Sequence, residues 1–417
     1  MEKRMQRIVF TGANLLDGRH AMRPGACVVV ERERITAVER APIESLPGDR
    51  TIDLAGKTLM PGLVSCHFHS TYRDISVMPS PLGLEKPPGY LTLAAAANLR
   101  TALLCGFTGV VSAGGIGDAI DPQCKLAIED GLVEGPRLVA GGRGLDVPSG
   151  YSDAESWWWE LSNHGGHHIC SGPESFREAV REEIRQGVEI IKIFPGGGHA
   201  TERPHTGVSL TKAELEAICE AAHSRGARVR AHAPAKDSIL ACIRAGVDII
   251  DHADDLDEEC IELMLRADTT LVPSMFFTHQ LLKQSEGFGA GVPAQMAPLA
   301  AGFKQIQKML PVANQAGVRI VSGDDFGLDF LSHGRYAEEL AFYVDVVGID
   351  SLDVIRWATS NGAVPMGLPE DLGGIGVGKL ADLIVVDGDP ITQMGVLQDR
   401  SRLNAIIKGG VFCKDEL

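Results

Sequence analysis

Leu59-Met60-Pro61-Gly62-Leu63-Val64-Ser65-Cys66-His67-Phe68-His69-Ser70 is an apolar run that ends in two histidines. It reads as a short buried strand punctuated by Pro61-Gly62. Side chains alternate faces along a strand, so His67 and His69 share one face while Cys66 and Phe68 take the other. Two imidazoles about 6–7 Å apart on one face can grip one cation from one side. Taken alone, the pair reads equally well as two satisfied polar residues at a strand end. Its meaning depends on what the rest of the chain brings to it.

Beyond residue 58, short apolar strands alternate with helical segments. Strands are predicted at 59–66, 107–113, 136–141, 188–194, 228–232, 247–252, 269–273 and 318–323. Helices are predicted near 91–105, 121–131, 174–187, 211–225, 236–245, 257–267 and 299–316, with more near 334–361. Eight strands with intervening helices form the pattern of an α/β chain folded as a (β/α)8 TIM-like barrel. Buried parallel strands should be continuous Val/Ile/Leu runs, and most of these are. An open doubly wound sheet is the competing architecture, but no Gly-x-Gly-x-x-Gly follows the first strand.

The flanks have a different texture. Ile8-Val9-Phe10, Cys27–Val30, Ile35–Val38 and Thr51–Leu54 are β-like runs separated by Gly, Pro and charged turns. Strand signals return at Leu383–Asp387 and Asn404–Lys408, with Gly409-Gly410 turning into Val411-Phe412. The expected organisation is a discontinuous β-sandwich, residues 1–57 and 362–417, around a barrel spanning 58–361. Two long loops, about 142–172 and 195–209, interrupt the barrel pattern. They carry Trp157-Trp158-Trp159, His164 through His168, and Gly196-Gly197-Gly198-His199. Loops of this length after strand ends suit lids over an active face.

The chain has 417 residues, 44% hydrophobic and 23% charged, and a net charge of −16. The acidic balance, with no basic run, argues against nucleic acid or an anionic membrane surface as partner. No apolar stretch reads as a signal peptide or membrane span. Nine cysteines lie at 27, 66, 105, 124, 170, 219, 242, 260 and 413 with no Cys-x-x-Cys pair. That usage suits reduced, buried thiols in a cytoplasmic protein. The terminal Lys414-Asp415-Glu416-Leu417 spells an ER-retention address that has no meaning without a secretory signal. The sequence leaves oligomeric state open, a homo-oligomer included.

If the barrel assignment holds, strand ends carry the chemistry. The first ends at His67 and His69, the fifth at His232, the sixth at Asp251-His252 and the eighth at Gly323-Asp324-Asp325. The fourth, Val188–Phe194, carries Lys192 amid isoleucines and a phenylalanine. A buried ammonium needs an ion-pair partner or a lowered pKa. A neutral amine there can instead add CO2, giving a carbamate whose oxygens bridge two metals. Four histidines, a lysine and an aspartate suit Zn²⁺ or a similar divalent ion.

These residues carry a resemblance. Pro61-Gly62-Leu63 before His67-Phe68-His69, Ile191-Lys192-Ile193, Ala231-His232-Ala233, Asp251-His252-Ala253, Gly323-Asp324-Asp325 and Gly378–Val385 together resemble the amidohydrolase superfamily over nearly the whole chain. Gly172-Pro173-Glu174 through Gly187, leading to Lys192 and Gly196-Gly197-Gly198, is similar to the imidazolonepropionase-like branch that includes Xaa-Pro dipeptidases. The resemblance implies a binuclear centre of two divalent metal ions, zinc foremost. His67, His69 and an aspartate would hold the more buried ion, His232 and His252 the other, and carboxylated Lys192 would bridge. Aligning on the glycine makes Asp325 the ligand and puts Asp324 in the place of a threonine. A one-residue shift would exchange them. The implied chemistry is hydroxide attack on a polarised amide carbonyl, with Asp325 passing the proton to the leaving nitrogen.

The implied substrate is a small-molecule amide, a dipeptide or an N-acyl amino acid. Candidates for its carboxylate are Tyr72, Arg73, His199, Arg203 and His205. Pro234 after His232-Ala233 departs from dipeptidase-like relatives. The Trp157–Trp159 run suggests an apolar pocket wall. Both features keep a carbamate, urea, lactam or aryl amide open. A mononuclear deaminase or cyclic-amide hydrolase is the alternative within the superfamily, and a non-catalytic barrel scaffold the alternative outside enzymes.

Overall fold

The computed structural model of the chain describes residues 7–40, 43–75, 86–153, 167–197, 207–286 and 296–417. Its helices and strands belong to a mixed α/β chain. Parallel strands at Leu63–Phe68, Phe107–Ser112 and Arg137–Val139 form one sheet in that order. A second parallel sheet continues through Ile190–Ile193, Arg228–Ala233, Ile249–His252, Thr270–Val272 and Arg319–Ile320. Helices such as Pro173–Arg185, Lys212–His223, Lys236–Ala245 and Glu258–Ala267 lie between successive strands. Every residue of Ile190–Ile193 and Ile249–His252 is buried, as strands covered on both faces require.

Backbone hydrogen bonds join the two sheets at both ends. Glu189 N–H donates to the Ala140 carbonyl at 2.8 Å, and Cys66 N–H to the Ser322 carbonyl at 2.7 Å. The last contact sets the strand ending in His67 and His69 beside the segment leading to Asp325. Gly323 permits it: a Cβ there would lie 2.1 Å from the His67 nitrogen, and its φ of 144° disfavours any other residue.

The strand expected over 59–66 is two strands. Thr58–Pro61 pairs antiparallel with Leu383–Val386 in the terminal sheet, and Leu63–Phe68 starts the parallel set. Gly62 is the step between them. A Cβ there would sit within 2.1 Å of the Thr108 hydroxyl, so only glycine fits the crossing. The two chain ends share one eight-stranded sheet. It is mixed: Ile8–Leu15 pairs antiparallel with Arg23–Glu31 but parallel with Arg50–Asp53 and Thr58–Pro61. It has a core of its own around Phe10, Val28, Ile35, Leu59, Leu383 and Ile407. Asp382 ties it to the parallel strands, accepting from Arg137 at 2.9 and 3.0 Å and from the Gly409 N–H at 2.7 Å.

One helix, Met275–Glu286, had no counterpart among the expected elements. Its cap comes from far along the chain. Asp324 accepts from the N–H groups of Phe276 at 2.8 Å and Phe277 at 3.2 Å, in the helix's first turn. A side chain 48 residues downstream thus does what a local Ser or Asp does elsewhere.

Candidate metal centre

Period-two alternation puts His67 and His69 on one face, as the sequence implies, but the rings come closer than an extended strand requires. Their Nε2 atoms are 3.2 Å apart. Asp325 Oδ1 lies 3.0 Å from His67 Nε2 and 3.0 Å from His69 Nε2. Among the described residues these three form the compact set whose ligand atoms all lie within 4.8 Å of one another.

The tautomers are set from behind. His69 Nδ1 is 2.7 Å from the Gly114 carbonyl, which can only accept, so Nδ1 carries the proton. The Ser274 hydroxyl donates to the Gly323 carbonyl at 2.9 Å, so it accepts from His67 Nδ1 at 3.1 Å. Both Nε2 atoms therefore present lone pairs toward a carboxylate oxygen. Three acceptors converge with no proton between them, an arrangement that a cation satisfies. Nitrogen and carboxylate donors with second-shell anchors fit Zn²⁺ or a similar divalent ion.

Electrostatics agree. Burial works to raise the Asp325 carboxyl, but the surrounding imidazoles, His67 foremost, outweigh it and hold the group well below the ordinary carboxylate range. Burial lowers His69, keeping its ring neutral, as a ligand must be. Asp324 is the opposite case: burial, then the nearby Glu339 and Asp325 charges, push its carboxyl well above the ordinary value. Both Asp324 oxygens are spent on backbone N–H groups. Of the two candidates, Asp325 is therefore the one brought to the histidines.

His252 and His232 lie beside this set. The His252 ring is 5.4 Å from His67, with Nε2 4.0 Å from Asp325 Oδ2. The His232 ring is 4.4 Å from His252. His252 and Ala253 have φ of 71° and 55°, and Ser274 45°, left-handed backbone that non-glycine residues rarely adopt. Such strain collects where a side chain must be aimed.

Lys192 meets its partner 59 residues away: Nζ is 2.6 Å from Asp251 Oδ2. Burial lowers the ammonium's pKa, and the Asp251 charge offsets part of that. Asp251 also takes Arg230, whose Nε donates at 3.1 Å and whose Nη2 pairs with Oδ1. Burial opposes the charged Asp251 carboxylate, yet Arg230 and Lys192 hold it well below its usual range. Arg230, wholly buried, donates further from Nη1 to the carbonyls of Cys66 at 2.9 Å and Ser112 at 2.6 Å. Sequence reading passed over Arg230. It shares a strand face with His232, and that spacing was the available signal.

Of the substrate candidates, Tyr72 stacks on His69 with centroids 4.1 Å apart and planes at 9°. Arg73 is exposed and makes no ion pair with a described residue. His199, Arg203 and His205 lie outside the described residues, as do Trp157–Trp159 and His164. Tyr151 was not anticipated. It stacks on His232 at 4.9 Å and 6°, and nothing in its local sequence announced that.

Comparison with known proteins adds to this geometry. The amidohydrolase family pattern matches residues 58–412. The chain is 29% identical over 374 residues to an ochratoxinase of Aspergillus niger, covering 85% of this chain and 75% of the relative. Its structure resembles a prolidase complexed with N-methylphosphonate-L-proline, with TM-score 0.87 and 30% identity, covering 98% of this chain and 100% of that one. A Xaa-Pro dipeptidase with methionine bound in its active site gives TM-score 0.86 at 26% identity, over 98% of this chain and 100% of that one. With the family pattern running from Thr58 in the terminal sheet, through all the parallel strands and back to the last strands of that sheet, the chain belongs to the amidohydrolase family, hydrolases of carbon–nitrogen bonds.

Proposed function

We propose that this chain hydrolyses the amide bond of a dipeptide or N-acyl amino acid at a centre of two divalent metal ions, zinc foremost. The observation that carries the reading is the convergence of His67 Nε2, His69 Nε2 and Asp325 Oδ1 with both histidine tautomers pinned. The likeness to a prolidase and a Xaa-Pro dipeptidase supports the substrate class. The hydrogen bonds joining the two parallel sheets support closure into a (β/α)8 barrel, with the centre at the strands' C-terminal ends.

Bound ions of this kind make a water nucleophilic near neutral pH and polarise a carbonyl. The protein's part follows from the residues. His67, His69 and Asp325 hold one position, and His232 and His252 the second. Asp325 Oδ2, the oxygen turned away from His67 and His69, takes a proton from water and returns it to the leaving nitrogen. Lys192, deprotonated and joined to CO2, would supply a further anionic oxygen ligand. Arg230 keeps Asp251 neutralised when Lys192 gives up its positive charge. The net charge of −16 supports a small-molecule substrate in the cytoplasm over nucleic acid or a membrane surface.

A one-metal deaminase or cyclic-amide hydrolase is favoured by one observation. The compact ligand set holds His67, His69 and Asp325, while Lys192 is paired with Asp251. Metal counting by mass spectrometry, alongside a screen of pooled dipeptides and N-acyl amino acids for released amine, separates the readings. Two ions per chain with turnover supports the proposal. One ion, or a blank screen beside deamination or ring opening, rejects it.

A further inference from the structure

We infer that Tyr72 and Tyr151 are the two walls of the substrate cleft and select an amide carrying an uncharged aromatic or large apolar group beside the scissile bond. The inference rests on the amide-hydrolase reading above and names what that site prefers.

Each tyrosine lies flat on one imidazole of a different histidine pair. Tyr72 covers His69 at 4.1 Å and 9°, and Tyr151 covers His232 at 4.9 Å and 6°. The imidazoles beneath are buried, while both tyrosines and Asp325 are partly exposed. The partly exposed rings that cover these imidazoles are therefore phenols, one against each histidine pair. Phe194 extends the Tyr151 side, 5.5 Å from Tyr151 and 5.7 Å from His232, with His167 edge-on to it at 5.1 Å.

Both walls are built, not incidental. The Tyr72 carbonyl accepts from Asn98 Nδ2 at 2.8 Å and from His333 Nε2 at 2.9 Å. Tyr151 sits in a loop wrapped around the buried Asp146, which accepts from the N–H groups of Val147 and Ser152 at 2.8 Å each and from the Ser152 hydroxyl at 3.0 Å. Gly150, beside Tyr151, is required there: a Cβ would fall 2.0 Å from Asp146 Oδ1. Of the cations near these walls, Lys192 and Arg230 are committed to Asp251 and Arg143 to Asp118 and Glu183, while Arg73, next to Tyr72, is exposed. The surfaces that Tyr72, Tyr151 and Phe194 themselves offer are rings rather than charge. Rings stack on rings or cover apolar groups, and they disfavour a charge brought out of water.

The test uses zinc-loaded protein with N-acetyl-L-phenylalanine, N-acetyl-L-alanine, N-acetyl-L-lysine and N-acetyl-L-glutamate. The phenylalanine substrate should exceed alanine in kcat/KM by about tenfold to two-hundredfold, the range one apolar pocket supplies. Tyr72→Phe and Tyr151→Phe keep the ring and should keep that ratio. Tyr72→Leu and Tyr151→Leu should collapse it, chiefly through KM, with metal content unchanged. A ratio that survives both leucine variants, falls in the phenylalanine variants, or favours the charged substrates overturns the inference. Calorimetric titration with L-phenylalanine and L-alanine provides a readout without turnover. If no amide is hydrolysed, the amide reading fails, and the ratio of the two affinities, with its loss in the leucine variants, still decides the role of the walls.

Discussion

Arg230→Met removes the cation at the centre of the buried charge network while keeping most of the side-chain volume. Arg230 contributes three things. It bonds Asp251 through Nε and Nη2, and it satisfies the Cys66 and Ser112 carbonyls on two other strands. Taking one partner from a buried ion pair costs about 3–5 kcal/mol. The low end applies to the pair itself, because Asp251 keeps Lys192 at 2.6 Å. Two orphaned carbonyls add about 1 kcal/mol each, bringing the total to about 5 kcal/mol. Unfolding entropy of about 2.1 cal/mol/K per residue gives roughly 0.9 kcal/mol/K for this chain, so Tm should fall by about 5–6 °C. Differential scanning calorimetry on metal-free protein reads this directly. Arg230→Met combined with Asp251→Asn should be less destabilised than the sum of the single variants, because Asp251→Asn alone strands both Arg230 and Lys192 whereas the double variant strands only Lys192. A Tm within about 1 °C of the parent, or strict additivity in the cycle, refutes the reasoning.

Three further outcomes follow from the centre. Asp325→Asn should abolish metal retention and activity, whereas Asp324→Ala should keep its metal and lower stability by about 0.5–2 kcal/mol through the lost cap on Met275–Glu286, as mass spectrometry and thermal melts would show. Lys192→Ala should reduce metal content below that of the parent and remove turnover, with partial rescue by short carboxylic acids; full activity would dismiss the bridging role. Glu339, which accepts the Gly323 N–H at 2.9 Å, has its carboxyl pushed up to about 8 by burial, against the lowering effect of its hydrogen bonds. A raised folded-state value means that the native protein binds the extra proton. Its stabilising contribution is full below the unfolded value near 4.5 and is lost as pH rises through about 8. Urea melts of metal-free Glu339→Gln should be flatter than the parent across that window.

Much of the parallel architecture was legible because buried strands are written as continuous apolar runs with polar ends. The segments expected at 228–232 and 247–252 match Arg228–Ala233 and Ile249–His252 closely. The helix expected at 236–245 is Lys236–Ala245. The four strand-end histidines were legible as a set rather than singly: each alone reads as well as a satisfied polar residue, and their recurrence at successive strand ends is what pointed to a metal. Features that depend on distant parts of the chain were not. Met275–Glu286 escaped because its cap comes from Asp324. The Thr58–Pro61 and Leu63–Phe68 strands looked like one because only Thr108, across the fold, makes Gly62 a step. The ion-pair partner of Lys192 was not legible because Asp251 is 59 residues away, and Ser274 and Tyr151 acquire roles only when strand ends meet.

The three-acceptor cluster has a topological side. His69 and Asp325 are 256 residues apart in sequence and 3.0 Å apart in space. A cation held between them is a chemical cross-link from the beginning of the parallel strands to their end. Closing a flexible loop of that length costs about 5 kcal/mol in chain entropy, from (3/2)RT ln n. A tie formed only in the native state would therefore act as a latch between the first and last parallel strands. Stripping it should loosen the seam between the first and last strands before the terminal sheet yields, so faster amide exchange at Cys66 and Val321 would mark where the fold begins to open.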